Sequence, residues 1–177
     1  DAARADSYVL EEATTSSFTD AIEVYGGTDT SWNATGKAAG TYYCRVRAEG
    51  EPGLGDWSAA DSVQVLPPTV PTLDPISNGD GDGAYGVSWA VSARATSYTL
   101  QEDTNDAFSS PTTVYEGTET NWNASGKSAG TYYYRVQASG PTGLSEWSTN
   151  EAVDVLPPGT PTLSPIDAPD SSGNYAV

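Results

Sequence analysis

Two asparagines of this 177-residue chain lie in acceptor sequences for N-linked sugar, Asn33-Ala34-Thr35 and Asn123-Ala124-Ser125. On an alternating strand with Trp32 and Ala34 turned inward, Asn33 faces solvent, and Asn123 does the same in its own setting. The competing reading is an unmodified surface amide. A second run, Asn78-Gly79-Asp80-Gly81-Asp82-Gly83, alternates oxygen donors with glycine as calcium loops do, which makes Asn78, Asp80 and Asp82 candidate Ca2+ ligands. No distant bidentate Glu completes that set, so a solvated acidic turn competes. Trp57 and Trp147 lie beside a strand whose Arg45, Arg47 and Arg135 can stack on the indoles. Such stacking makes either a structural ladder or an exposed aromatic strip for polysaccharide.

Other chemistry is excluded by what the chain lacks. It has no His, so Ser-His-Asp and Cys-His catalysis and His-ligated zinc are absent. A single cysteine, Cys44, forms neither an internal disulfide nor a thiolate metal cage. It falls on an inward position and is expected to be a buried, inert thiol. Seven Lys and Arg against 24 Asp and Glu give a formal charge of −17, the wrong sign for nucleic acid and for anionic membrane surfaces. No apolar run is long enough for a membrane span. The carboxylates are numerous, yet no spacing singles out a glycosidase-type pair, so no enzyme is expected. No Arg-Gly-Asp occurs in the 49–56 or 139–146 loops. Apart from Ca2+ and N-linked glycans, no cofactor is implied. The chain contains no Met, which reads as an internal piece of something longer.

The elements that must position these residues recur with a period of 90. Ser7-Tyr8-Val9-Leu10 returns as Ser97-Tyr98-Thr99-Leu100, and Gly40-Thr41-Tyr42-Tyr43 as Gly130-Thr131-Tyr132-Tyr133. Asp56-Trp57-Ser58 returns as Glu146-Trp147-Ser148, and Val65-Leu66-Pro67-Pro68 as Val155-Leu156-Pro157-Pro158. No gap is needed, which marks a tandem array of one structural unit. Within a unit, Tyr85, Val87, Trp89 and Val91 alternate with small or polar residues, as do Tyr132, Tyr134, Val136 and Ala138. Period two predicts strands with one buried face. Turn clusters at 78–83, 116–117, 126–130 and 140–143 separate them. About seven strands per unit and no helix predict a two-sheet antiparallel sandwich.

These residues resemble a fibronectin type III domain of the kind found in bacterial extracellular proteins. The resemblance rests on Val87-Ser88-Trp89 in the second strand and Ser97-Tyr98-Thr99-Leu100 in the third. It also rests on Gly130 to Val136 in the sixth and Glu146-Trp147-Ser148 before the last. It implies an all-β fold of tandem immunoglobulin-like, fibronectin type III β-sandwiches on a 90-residue repeat, with a tyrosine corner at Tyr132 and Tyr42. A unit then covers residues 67–156. Residues 1–66 hold a partial domain without its first two strands, and 157–177 hold a first strand and part of a second. The whole chain is two periods short of three positions, since Val177 aligns with Val87 and Asp1 with Val91.

A sandwich without its first strands leaves core residues and a sheet edge in water. Two arrangements satisfy them: a continuous head-to-tail array, or completion of one chain's partial domain by the tail of another. Thr160, Leu163, Ile166, Tyr175 and Val177 are the residues expected to carry that assembly. The Leu66-Pro67-Pro68 and Leu156-Pro157-Pro158 linkers act as semi-rigid spacers. The function expected is a non-catalytic structural protein of an extracellular or cell-surface filament, with copies of itself, and polysaccharide, as partners. The alternative is a spacer or carbohydrate-contacting module of a larger secreted enzyme or adhesin.

Overall fold

The structure, a computed structural model, describes residues 4–51, 53–163 and 165. Among these residues there is no helix, and none therefore long and apolar enough to cross a membrane. The strands are β1 (Ser7–Ala13), β2 (Ile22–Gly27), β3 (Gly40–Gly50), β4 (Gly53–Leu54), β5 (Asp61–Val65) and β6 (Tyr85–Ser88). They continue with β7 (Ser97–Asp103), β8 (Thr112–Gly117), β9 (Asn121–Ala124), β10 (Gly130–Gly140), β11 (Gly143–Leu144) and β12 (Glu151–Val155).

They form two antiparallel five-stranded sheets of one design. The first runs β2-β1-β3-β4 with β5 also on β3, and the second β8-β7-β10-β11 with β12 also on β10. Ser7 and Ser97, and likewise Gly40 and Gly130, open corresponding strands at a 90-residue offset. The long β3 and β10 carry the β-branched and aromatic runs that favour extended backbone. Register follows the apolar set: Leu10 faces Val46 and Leu100 faces Val136. Opposite Leu10/Glu11 and Leu100/Gln101 the register shifts, where β2 and β8 carry one extra residue, Val24 and Val114.

The second sheet is covered. β6 pairs with β9, Tyr85 facing Ala124 and Val87 facing Trp122, and residue Leu73 bridges to Trp89. The edge segment closes through Asp74 N to Ser88 O and Ala90 N to Thr72 O, at 2.9 Å each. Pro71 and Pro75, lacking N–H donors, flank that short pairing and stop it from spreading. Between the layers, Leu73, Tyr85, Val87 and Trp89 pack on Leu100, Tyr134, Val136, Ala138 and Val153, all of them buried. Edge-on ring contacts add direction, Tyr85 with Tyr134 at 6.1 Å and Trp89 with Tyr98 at 5.8 Å. This is an all-β sandwich.

Three local expectations change. Val91 is 80% exposed, because alternation ends where Trp89 makes its bridge and the chain turns away. Residues 31–34 form no strand, although their counterparts 121–124 form β9, because a strand needs a partner and among the described residues no β6 counterpart lies beside them. Ala34 is accordingly exposed rather than inward-facing. Cys44 is half-buried rather than buried, for the same reason: among the described residues no second layer covers its sheet.

Candidate functional site

Among the described residues, the first sheet has a face that its counterpart in the second sheet keeps buried. Val46 is 37% exposed where Val136 is 0%, and Val63 is 57% exposed where Val153 is 6%. A fully buried aliphatic side chain contributes roughly 1.5–3 kcal/mol, so leaving several in water is a substantial loss. Two clefts mark the missing layer. One, of 460 Å³, is lined by Tyr8, Leu10, Tyr25, Trp32 and Val46 among others. Their counterparts Tyr98 and Tyr115 hold Trp89, so this cleft is the empty equivalent of an indole socket. The other, of 390 Å³, lies between Glu12, Lys37, Val63 and Val65, and is closed on one side by Pro141 and Thr142 of the second unit.

Polar groups sit at the floor of this face. Glu12 is buried and ion-paired with Lys37. In the covered unit the matching Glu102 pairs with Lys127 at 2.6 Å and accepts from the Tyr134 hydroxyl, which also meets the Tyr85 hydroxyl at 2.8 Å. Burial pushes the Tyr134 phenol far above its ordinary range, with Glu102 beside it adding to the rise, so it stays a donor. Cys44 takes this position in the first unit. Partial burial and then the Glu12 charge raise its thiol above the usual value, against the opposing pull of Lys37.

On the outer face of each five-stranded sheet, guanidinium groups lie between aromatic rings. Arg45 donates to Glu11 at 2.9 and 2.7 Å and stacks between Phe18 at 4.3 Å and Trp57 at 4.5 Å. Arg47 covers Trp57 at 4.6 Å. Arg135 donates to Gln101 and lies between Phe108 at 4.3 Å and Trp147 at 4.6 Å. The stacking expected of Arg45, Arg47 and Arg135 is present, and it is a ladder within the sheet. Two features that build it carried no sequence signal. Phe18 and Phe108 adopt positive φ (57° and 49°), which turns each ring under its arginine. Ser145 and Ser148 bond the Ala138 and Val136 amides through their hydroxyls at 3.0 Å each, so the last strand leaves the ladder and throws Trp147 outward.

The two units touch end to end. Ala39 N donates to Thr142 O at 2.8 Å and Thr142 Oγ1 donates to Leu66 O at 2.8 Å, while Arg94 Nε holds the linker at Pro67 O at 2.8 Å. At the far end of the second unit the counterparts Ala129 and Leu156 line a cleft of 650 Å³ together with Pro157 and the 80–83 loop.

Asn33 and Asn123 are both exposed. The Asn78 amide donates to Asp82 O at 2.8 Å and Asp154 O at 2.9 Å, and the Asp82 carboxylate accepts from Ala84 N. These bonds tie the loop to β12. No group of three or more acidic or Cys side chains among the described residues is placed to hold a metal. Thr160 and Leu163 are exposed, Leu163 to 66%. Ile166, Tyr175 and Val177, also expected to carry assembly, lie outside the described residues.

Tyr132 donates to Ser128 O at 3.1 Å and Tyr42 to Ala38 O at 3.0 Å, each closing a corner four residues upstream. With a β6/β9 layer over β8-β7-β10-β12, the sandwich is fibronectin type III-like. Similar solved structures include the sixth fibronectin type III domain of human fibronectin type III domain containing protein 3 (25% identity, TM-score 0.43), where the match covers 52% of this chain and 92% of that one. A Fn3-like protein from Clostridium thermocellum matches at 23% identity and TM-score 0.39, over 54% of this chain and 96% of that one. The chicken CNTN1 FN1-FN3 domains match at 17% identity and TM-score 0.39, over 85% of this chain and 56% of that one. No family model matches, and no curated protein matches.

Proposed function

We propose that the chain is a non-catalytic structural protein of an extracellular filament, stalk or surface fibre, built by stacking its units head to tail. The observation that carries this reading is the junction between the two units. Backbone and side-chain hydrogen bonds of Thr142 fix one unit on the next at Ala39 and Leu66, and at the far end the counterparts Ala129 and Leu156 line a cleft that can receive another. A contact made between different surfaces of like units propagates in one dimension instead of closing. The exposed Asn33 and Asn123 sequons suit an extracellular setting in which sugar decorates the rod. The acidic surface keeps neighbouring rods apart and soluble. Electron microscopy of the purified chain across a concentration series tests this. Unbranched filaments of uniform width are expected, and particles that stay monomeric at every concentration would overturn it.

A further inference from the structure

The sequence holds a single Asn-Gly step, Asn78-Gly79, in the loop that leads to β6. The asparagine side chain fastens that loop. Both N–H groups of its amide are used, on Asp82 O at 2.8 Å and Asp154 O at 2.9 Å, so one residue closes the loop and ties it to β12. Gly81 N donates to Asn78 O at 3.1 Å, Gly81 O accepts from Leu156 N at 2.9 Å, and Gly83 O accepts from Lys127 N at 3.1 Å. Leu156, which opens the Leu156-Pro157-Pro158 linker, also packs over Gly81, where a Cβ would stand 3.1 Å from its side chain. Asn78 therefore anchors the joint at which β12 becomes linker.

From this arrangement we infer that Asn78 is a site of spontaneous deamidation, and that its conversion unties the loop from β12. The Gly79 nitrogen makes no hydrogen bond among the described residues, and a Cβ at Gly79 would meet nothing within 4 Å, so the nucleophile is unhindered. It attacks the side-chain carbonyl carbon of Asn78. The bond from that carbon to Nδ2 breaks, and ammonia leaves with the proton that Gly79 N gives up. Water then opens the succinimide ring at either carbonyl, which leaves aspartate, or isoaspartate with the backbone running through Cγ. Water is the only co-reactant. Attack requires Nδ2 to leave its two carbonyls first, so those hydrogen bonds set the pace. The product has no N–H to offer. Its carboxylate faces the Asp82 and Asp154 carbonyl oxygens, in a loop that already carries the Asp80 and Asp82 carboxylates. Oδ1 is buried without a partner even in the amide, so two acceptors then stand with no donor, and the loop lets go. In a head-to-tail rod this loosens the joint at Leu156.

The test ages the full-length chain in mildly alkaline buffer, folded and in denaturing urea, and follows every asparagine by peptide mapping with mass spectrometry. Asn78 is expected to convert ahead of the others, to a mixture of aspartate and isoaspartate. Its conversion should be about tenfold slower in the folded chain than in urea, because the amide must first be released. Gly79→Ala should slow conversion about tenfold, since a Cβ beside the attacking nitrogen restricts its approach. The open space at Gly79 leaves that variant's thermal midpoint unchanged. In the converted chain, hydrogen exchange at the Leu156 and Lys127 amides should quicken about tenfold, while the Val136 amide, held by Ser148 in the core, keeps its protection. An intact Asn78 while another asparagine converts would overturn the site. Equal rates in the folded and unfolded chain, or in Gly79→Ala and the parent, would overturn the chemistry given for it. Unchanged exchange at Leu156 and Lys127 after conversion would overturn the untying. Each outcome is read on the single chain, so it stands or falls apart from filament growth.

Discussion

At the residue scale, position 44 separates the two units most clearly. Tyr134 joins the covering layer to the sheet, because its hydroxyl meets Tyr85 and donates to Glu102. Removing that hydroxyl leaves two buried oxygens short of a partner, so Tyr134→Phe should cost about 1–3 kcal/mol in chemical denaturation of the C-terminal sandwich. The loop polar groups also differ between units. Asp20 accepts from the Thr14 hydroxyl and amide and from Thr15, and the Thr14 and Thr15 hydrogen bonds hold its carboxyl well below the usual carboxylate range. In the second unit the job passes to Asp103, which accepts from Asn105 N and Ser110 N. A depressed folded-state pKa stabilises above the unfolded value and loses that contribution as pH falls through and below it. Replacing Asp20 with Asn should therefore flatten the first unit's acid unfolding below pH 3.8, read by fluorescence-detected titration. The indole stacking was legible from Trp and Arg on neighbouring strands. The positive-φ phenylalanines and the serine-bonded bulge were not, since both arise from backbone turns that no single residue type announces.

At the element scale, strands were legible wherever period-two patterning met a partner, as in β7 and β10. Residues 31–34 and 121–124 show the limit. Ser31-Trp32-Asn33-Ala34 and Asn121-Trp122-Asn123-Ala124 are almost the same sequence, yet only the second is a strand. Pairing with β6 makes the difference, and local propensity does not. Val91 fails the alternation for a related reason, since its strand has already left the sheet. The loop that delivers β6 depends on Gly83, so Gly83→Ala should lower the thermal midpoint of the C-terminal sandwich by several degrees. Differential scanning calorimetry of the variant reads that shift.

At the scale of the whole molecule, most of the positive charge is spent internally. Lys37 and Lys127 pair with Glu12 and Glu102, Arg45 with Glu11, and Arg94 with the Pro67 carbonyl. The remaining surface is acidic, which disfavours side-by-side packing and leaves end-to-end contact through backbone bonds and apolar cover. The repeat and its sandwich class were readable from Trp, Tyr, Gly and Pro spacing. The junction was not, because Thr142 aligns with Pro52 and the hydroxyl that reaches Leu66 has no counterpart to reveal it. The central claim is that like units stack end to end through unlike surfaces. Sedimentation velocity of the full-length chain over a concentration series should show a continuous ladder of ever larger species. A monomer at every concentration, or a closed oligomer that stops growing, would contradict the account.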